Sequence, residues 1–235
     1  MNILITGTSS GLGYELAKEF IARGDTVYGM SRRYCDLNIT QLQCNFKDID
    51  MDSSGTCTRT EMQRWIGKLP NQIDLVILNA GMLGSIDKLD NLSVESFNEI
   101  FTVNVIANKI LLDYIRISNI DIKQVIGISS GAASKAYYGW ALYCCSKAAF
   151  RQLISTYAQE WPKTHFISLA PGIIKTSMQK YIYSIDEKEI PSVKKFKQMF
   201  DTMDTPDIVA KRIIQYLPRL AILDSGDYCD LRDIQ

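Results

Sequence analysis

Short apolar runs rich in β-branched residues alternate with longer stretches of helical periodicity along the chain, and this alternation constrains the fold most strongly. Strands of a parallel sheet that is covered by helices on both faces read as continuous apolar segments. The sequence therefore predicts a doubly wound α/β fold with a parallel sheet of about seven strands. The predicted strands are residues 2–6, 26–30, 41–44, 73–79, 123–129, 165–170 and 220–223.

Two of the intervening helices have clear ends. One is predicted over residues 11–23, closed by Gly24 at a position suited to a left-handed cap, and the other over 138–160, stopped at Trp161-Pro162. No repeat or linker divides the 235 residues, and 46% hydrophobic residues can build a large core, so residues 1–235 are predicted to form one domain. Residues 177–204 mix aromatic residues and methionines with charges, which predicts a substrate lid or a pair of surface helices.

Charge and cysteine content exclude several classes of protein. Basic and acidic residues both number 26, so the sequence gives no support for binding to nucleic acid or to a membrane. No apolar segment approaches the ~20 residues that span a bilayer, and no signal peptide is recognisable, which predicts a cytoplasmic location. Six cysteines without paired CxxC spacing and a single histidine predict neither a disulfide framework nor a metal site.

A glycine-rich turn, Thr6-Gly7-Thr8-Ser9-Ser10-Gly11-Leu12-Gly13, directly follows the first predicted strand and opens a helix. Glycines allow the backbone to approach a pyrophosphate closely, and free N–H groups at the start of a helix stabilise its charge. The turn therefore predicts a dinucleotide site, although such a turn can also be purely structural. The candidate residues are Gly7, Ser9, Ser10, Gly11, Leu12 and Gly13.

The end of the second strand predicts which dinucleotide is used. An acidic residue at this position binds free ribose hydroxyls, whereas a basic residue accommodates a 2′-phosphate. The strand ends in Ser31-Arg32-Arg33, and the planar guanidinium of Arg32 predicts NADP(H) over NAD(H). Two readings stay open: the arginines could simply begin a solvated loop, and Asp36 is a weak argument for NADH.

Tyr143 and Lys147 are four residues apart in a predicted helix, so they share one face and the ammonium is expected to lower the phenol pKa. Tyr14 and Lys18 have the same spacing, which shows that the pair alone is a weak signal. Only Tyr143 has a serine, Ser130, thirteen residues earlier at the end of a strand. The combination predicts a catalytic group, and Tyr14 with Lys18 is interpreted as a surface contact.

Together these motifs resemble the classical short-chain dehydrogenase/reductase family, from Met1 to about Thr176, which implies a Rossmann-type fold. Asn79-Ala80-Gly81, Asn104 and Pro171-Gly172 occur in the family's order and spacing. The resemblance implies catalytic roles for Ser130, Tyr143 and Lys147, and a water-holding role in a proton relay for Asn104. It also assigns the cofactor-binding residues Asn45, Phe46, Asn79, Ala80, Gly81, Tyr143, Lys147, Pro171, Gly172, Ile174 and Thr176.

Two departures from the family pattern affect the nucleotide site. Leu78 stands where the family often has a first asparagine, and Asn45 replaces an aspartate that usually meets adenine. An amide oxygen at Asn45 can still accept from the adenine amino group, so at most weaker cofactor binding is expected.

The resemblance implies an NADPH-dependent carbonyl reductase or alcohol dehydrogenase for a small molecule, and a homodimer or homotetramer. Alternatives are a 3-oxoacyl-carrier-protein reductase or a non-catalytic dinucleotide sensor on the same fold. A weaker similarity to the sepiapterin and benzil reductase branch rests on 176–179 and 225–230, where Asp230 would anchor substrate or remain a surface carboxylate. A nucleotide sugar, a diketone, a pterin and a quinone all remain compatible substrates.

Overall fold

A single parallel sheet organises the computed structural model of the chain, which describes residues 1–49 and 59–234. Its strand order is β3-β2-β1-β4-β5-β6-β7, and every neighbouring pair is parallel. The seven-stranded doubly wound fold is thus confirmed. The strands are β1 (Asn2–Thr6), β2 (Thr26–Ser31), β3 (Thr40–Gln43), β4 (Gln72–Leu78), β5 (Asp121–Ile128), β6 (His165–Ala170) and β7 (Tyr228–Asp230).

Eight α-helices connect the strands within the part of the chain that the structure describes. They are α1 (Gly11–Ala22), α2 (Arg59–Ile66), α3 (Val94–Phe101), α4 (Ala107–Ile117), α5 (Ala141–Glu160), α6 (Ser177–Ser184), α7 (Val193–Met199) and α8 (Pro206–Leu220). A π-helical turn, Thr102–Ile106, joins α3 to α4. Such turns are rare and occur frequently at functional sites.

Alternation along the strands separates two apolar cores, one on each face of the sheet. Leu4 and Val76 pack with residues of α2, α4 and α5 on one face. Ile3 and Ile77 pack with residues of α1 and α8 on the other face. Because both faces are covered, the strands are almost wholly apolar, which explains why the sequence predicts them well.

The order of the strands reverses between β1 and β4, which are neighbours although β2 and β3 intervene in the chain. Ligands of open α/β sheets bind in the crevice outside the carboxyl ends of the strands at such a reversal. The glycine turn after β1 and Asn79-Ala80-Gly81 after β4 both lie at this edge.

The seventh strand is not where the sequence predicted it. Residues 220–223 are not a strand: Leu220 ends α8, and Ile222 is 82% exposed. Only Leu220 belongs to the buried stripe of the amphipathic helix α8, and the apolar residues after it lie in the turn that follows, which a four-residue window does not distinguish from a strand. The true strand, Tyr228–Asp230, follows a turn at Gly226, whose φ is +97°.

Glycines mark one helix end that the sequence predicted correctly and one that it misplaced. Gly24, with a φ of +82°, closes α1 as predicted. The helix predicted from residue 138 begins only at Ala141, because Gly139 has a φ of +83°. Residues 177–204 contain α6 and α7, which pack together over a third apolar cluster that includes Trp140, so this segment has the predicted form of a helix pair.

The described residues also bear on membrane spans, metal sites and cysteines. Over 1–49 and 59–234, no helix is long and apolar enough to cross a membrane, and no group of three potential metal ligands occurs. Cys35, Cys144, Cys145 and Cys229 are free thiols.

Candidate functional site

One cleft of about 710 Å³ runs along the carboxyl edge of the sheet and brings most of the predicted site residues together. It contains the predicted catalytic residues Ser130, Tyr143 and Lys147. Of the predicted site residues, only Gly13 and Asn104 do not line it. The predicted cofactor residues that line it are Gly7, Ser9, Ser10, Gly11, Leu12, Arg32, Asn45, Phe46, Asn79, Ala80, Gly81, Tyr143, Lys147, Pro171, Gly172, Ile174 and Thr176.

The glycine turn is fixed by contacts that only glycine permits at Gly13. A Cβ atom there would lie 2.4 Å from both the Gly7 carbonyl oxygen and the Asn79 side-chain nitrogen, so Gly13 serves close packing behind the cleft. Asn79 donates from that nitrogen to the Thr6 carbonyl at 2.9 Å. The Thr6 hydroxyl in turn accepts from the backbone N–H groups of Asn79 and Ala80, at 2.9 Å each. The ends of β1 and β4 are thereby joined.

The first turn of α1 has the properties of an anion site. Ser10, the N-cap residue, makes no side-chain bond to the helix, which leaves the first N–H groups without a side-chain acceptor. At Gly11 a Cβ would meet only the Thr176 methyl group, at 3.7 Å. An anion such as a pyrophosphate fits there, because the N–H groups and the positive end of the helix dipole face it.

Arg32 and Arg33 are exposed at the far end of the cleft, next to the glycine turn. Arg33 donates to the Ser10 hydroxyl at 2.8 Å, a contact that the sequence did not predict. Asp36 lies outside the cleft lining and hydrogen-bonds with Tyr14. Two guanidinium groups therefore face this end of the cleft, and the carboxylate that could have argued for NADH is engaged elsewhere.

Asn45 lies in the cleft but uses its amide locally. Its side-chain oxygen accepts from the Lys47 backbone N–H at 3.4 Å, and its nitrogen donates to Asp48 at 2.7 Å. An adenine amino group would share that oxygen with Lys47. This competition is consistent with the expected weaker contact at this position.

The catalytic group assembles where α5 passes the end of β5. Ser130 follows β5 directly, and Tyr143 and Lys147 lie one helical turn apart on α5. The Lys147 ammonium donates to the Ile128 carbonyl at 2.8 Å and lies 5.8 Å from the centre of the Tyr143 ring. The structure therefore places these three side chains in the same cleft.

The protonation of this group differs from the sequence prediction. Burial raises the pKa of Tyr143 to about 12, and the interaction with the Ser130 hydroxyl offsets this only in part. Burial also lowers the pKa of Lys147 to about 8. The expectation that Lys147 lowers the phenol pKa is thus wrong for this arrangement, because burial is the largest cause of the shift at Tyr143 and Lys147 is not among the groups that change it.

Asn104 lies behind the cleft, in the π-helical turn, and is 1% exposed. Its side-chain oxygen accepts from the Met82 N–H at 2.8 Å, and its nitrogen donates to the Ser146 hydroxyl at 2.9 Å. Ser146 donates onward to the Tyr143 carbonyl at 2.9 Å. The Asn104 carbonyl accepts from Asn108 at 3.0 Å. The side chain thus connects the loop after β4 to the turn of α5 that carries Tyr143.

The substrate end of the cleft includes residues that the sequence did not single out. Apolar and aromatic side chains come from the residues just before α5 and from α6 and α7, and polar ones come from β7 and the residues after it. Those that the sequence did not name are Tyr137, Trp140, Ile182, Phe196 and Arg232, and they lie beside Met178, Tyr228 and Asp230, which belong to the segments that the sequence did single out. The variable length and composition of lid segments give no motif by which these residues could have been found.

The C-terminal strand reaches the catalytic group. The Tyr228 hydroxyl donates to the Ser130 carbonyl at 3.3 Å. Both carboxylate oxygens of Asp230 accept from the Arg232 guanidinium, at 2.8 and 2.6 Å, and this pairing holds the Asp230 pKa below its usual value. Asp230 therefore lines the cleft, as the sequence suggested, but as one half of an ion pair.

Comparison with known proteins gives consistent results. The family model for short chain dehydrogenase matches residues 1–187. The chain is 28% identical to benzil reductase ((S)-benzoin forming) of Bacillus subtilis over 232 residues, covering 92% of this chain and 93% of that protein. It is 31% identical to the NADPH-dependent pterin aldehyde reductase of Arabidopsis thaliana, over 75% of this chain and 76% of that protein. A crystal structure of a short-chain dehydrogenase/reductase from Saccharomyces cerevisiae superposes with a TM-score of 0.82 at 21% identity, over 99% and 96% of the two chains.

Proposed function

The chain belongs to the short-chain dehydrogenase/reductase family, and from this premise we propose that it is an NADPH-dependent carbonyl reductase with Tyr143 as its general acid. The observation that carries the proposal is the meeting of Ser130, Tyr143 and Lys147 in the cleft that starts at the glycine turn. Members of the family use an NAD(P) nucleotide, which supplies or accepts the hydride when bound. The remaining chemistry belongs to this chain's own side chains.

The described residues fit such a nucleotide. The uncapped start of α1 suits the pyrophosphate, and the open space at Gly11 admits it. Arg32 and Arg33 suit a 2′-phosphate, because a guanidinium offers paired donors to phosphate oxygens. Pro171, Gly172, Ile174 and Thr176 line the nicotinamide end in this assignment. The preference for NADPH rests on the two arginines and on the NADPH dependence in the printed name of the plant relative.

Tyr143 is suited to donate a proton to the oxygen of a carbonyl that is being reduced. Because burial raises its pKa to about 12, the phenol holds its proton at neutral pH. The Ser130 hydroxyl would donate a hydrogen bond to the same carbonyl oxygen and fix it near Tyr143. Lys147, held by the Ile128 carbonyl, carries positive charge below pH about 8 and stabilises the phenolate that remains after the transfer.

Asn104 supports this group from behind. Through Ser146 it fixes the main chain of Tyr143, and through Met82 it fixes the loop after β4. A water on the Asn104 carbonyl, as a proton relay requires, would share that oxygen with Asn108. We propose that Asn104 both holds the water of a proton relay and positions Tyr143.

The substrate is proposed to be a small-molecule carbonyl compound of the diketone or pterin aldehyde kind. The names of the two relatives and the aromatic lining of the substrate end support this choice. We also propose a homodimer or homotetramer, as the family resemblance implies, and light scattering after gel filtration measures it directly.

The deciding experiment follows the absorbance of NADPH in the presence of benzil, a pterin aldehyde and an acetoacetyl thioester. We expect consumption of NADPH with the first two compounds and little with the thioester. Turnover confined to the thioester would favour the oxoacyl reductase alternative. Binding of NADPH without turnover of any carbonyl compound would favour a dinucleotide sensor and contradict the proposal.

A further inference from the structure

The substrate end of the cleft carries an aromatic wall, which we define as Tyr137, Trp140 and Phe196. Trp140 stacks on Phe196 with the ring centres 4.8 Å apart and the planes at 28°. Tyr137 meets both rings at their edges or at a tilt, at 5.4 Å from Trp140 and 5.7 Å from Phe196. All three residues line the same cleft as Tyr143, whose ring centre is 6.4 Å from that of Trp140.

The wall joins two parts of the chain that are distant in sequence. Tyr137 and Trp140 precede α5, the helix that carries Tyr143, whereas Phe196 lies on α7 in the segment predicted to be a lid. A substrate group in contact with all three rings would therefore be fixed relative to both the proton donor and the lid.

Ser192 holds the wall in place. The Trp140 indole N–H donates to the Ser192 hydroxyl at 2.9 Å, and that hydroxyl donates to the Tyr138 carbonyl at 2.6 Å. Ser192 does not line the cleft. The polar atom of Trp140 is thus bonded to a residue outside the cleft, and what the tryptophan contributes to the cleft is apolar ring surface.

The surroundings of the wall are apolar as well. Met178, Ile182 and Ile173 line the cleft and belong to the same apolar cluster as Trp140 and Phe196. Trp140 and Phe196 are only 4% and 7% exposed, so their conformations are fixed by packing before any substrate binds. Because the rings are already ordered, binding of a flat, apolar group costs little conformational entropy in these side chains.

We propose that the aromatic wall is the specificity subsite for an aryl group attached to the carbonyl that is reduced, and that Ser192 is the positioning residue that orients Trp140. This inference rests on the proposed carbonyl reductase function and adds to it the side of the substrate that is recognised. It requires an aryl ketone or aryl diketone to be preferred over an aliphatic compound with the same reacting group.

The test compares 1-phenyl-1,2-propanedione with 2,3-butanedione, which share the diketone and differ in the phenyl group. We expect kcat/KM of the unaltered protein to favour the phenyl compound by about tenfold or more, as hydrophobic pockets commonly discriminate. Phe196→Leu should lower this ratio about tenfold, because it removes one ring of the wall. Ser192→Ala should lower the same ratio about threefold, because it removes only the hydroxyl that orients Trp140.

Ser184→Ala is the matched control. Ser184 also lies in the lid segment, and its hydroxyl bonds only to the Tyr181 carbonyl of its own helix, at 2.8 Å. The ratio should remain as in the unaltered protein. Titration with NADPH and thermal unfolding show whether each variant is folded, and if Phe196→Leu fails to fold, Ser192→Ala alone decides.

Three outcomes are distinguishable. A protein that reduces neither diketone contradicts the aryl subsite, and it contradicts the proposed function as well if benzil and a pterin aldehyde are not reduced either. A protein that reduces both equally well contradicts only the aryl subsite. Equal losses for both substrates in folded Phe196→Leu, or an unchanged ratio in Ser192→Ala, would show that the wall supports the lid in general and does not select substrate.

Discussion

Helices α1 and α5 carry the same Tyr-x3-Lys spacing, and their surroundings differ in every respect that matters for catalysis. Lys147 is 5% exposed and bonded to the Ile128 carbonyl, whereas Lys18 is exposed and pairs with Glu15 on its own helix. Tyr143 faces Ser130 in the cleft, whereas Tyr14 hydrogen-bonds with Asp36 outside it.

Both tyrosines have a raised pKa, and in neither is the lysine a cause. Burial raises the pKa of Tyr143. The pKa of Tyr14 is raised by desolvation and by the hydrogen bond with Asp36. The spacing places two side chains on one face of a helix but does not bring an ammonium to a phenol oxygen. What distinguishes the catalytic pair is burial beside a serine at the end of a strand. Each prediction below tests this contrast, beginning with the largest expected effect.

Tyr143→Phe should lower carbonyl reduction by at least about 10²–10⁴-fold, because the variant lacks the proton that accompanies hydride transfer. NADPH affinity, measured by fluorescence titration, should change little, because the glycine turn and Arg32 are untouched. Tyr14→Phe is the internal control and should keep activity within about twofold. Similar losses in both variants would remove the distinction between the two helices.

Lys147→Met should lower activity by about a hundredfold or more and should also change how stability depends on pH. In the unaltered protein the folded-state pKa is about 8, below the usual 10.5, so the buried charge costs stability in full below pH 8. Between pH 8 and 10.5 the unfolded chain holds a proton that the folded chain has released, so stability rises with pH relative to the variant.

That relative rise should reach about 3 kcal/mol by pH 10.5, at about 1.36 kcal/mol for each pKa unit. Urea unfolding of both proteins near pH 7 and pH 10 measures it. Lys18→Met should differ from the unaltered protein by less than about 0.5 kcal/mol at both values, as expected for an exposed side chain. If the free energy of unfolding changed with pH in the same way in Lys147→Met and in the unaltered protein, the lowered pKa of a buried Lys147 would be refuted.

Arg32→Glu tests the nucleotide end of the cleft, where α1 is proposed to bind the cofactor and takes no part in the reaction. A carboxylate repels a 2′-phosphate and accepts bonds from ribose hydroxyls, so NADPH should bind about 10–100-fold more weakly and NADH should become preferred. The rate of saturated reduction should change far less than in Tyr143→Phe. Equal affinity of the unaltered protein for the two cofactors would show that Arg32 does not read the phosphate.

Asp230→Asn is expected to have the smallest effect. It removes one charge from the pair with Arg232 and should raise KM for a pterin aldehyde by about threefold, without altering NADPH affinity. Unchanged KM would identify the ion pair as a feature of the C-terminal turn alone.

The sequence predicted the sheet well because parallel strands are apolar on both faces and glycines mark several turns. Ile3 and Ile77 lie on such strands, and Gly24, which closes α1 as predicted, has a positive φ value that few residues other than glycine adopt readily. It failed at residues 220–223, since a short apolar run at the end of an amphipathic helix has the composition of a strand.

At the candidate site, local motifs identified which residues take part, but not their protonation states or their hydrogen-bond partners. The spacing of Ser130, Tyr143 and Lys147 predicts their proximity, whereas their pKa values depend on burial, which no short window encodes. Arg33 bonding Ser10 and Ser192 bonding Trp140 link residues 23 and 52 positions apart. Such contacts follow from tertiary packing and lack a sequence signature.

The hydrogen bond from Tyr228 to the carbonyl of Ser130 has a consequence for how the protein is made. It joins residues 98 positions apart, and β7 is an edge strand of three residues that pairs only with β6. Contacts over such separations form late, because a long loop must close before they contribute. On the ribosome, the nucleotide half and α5 emerge well before this strand, so a nascent chain should acquire cofactor affinity before it acquires a complete reaction centre.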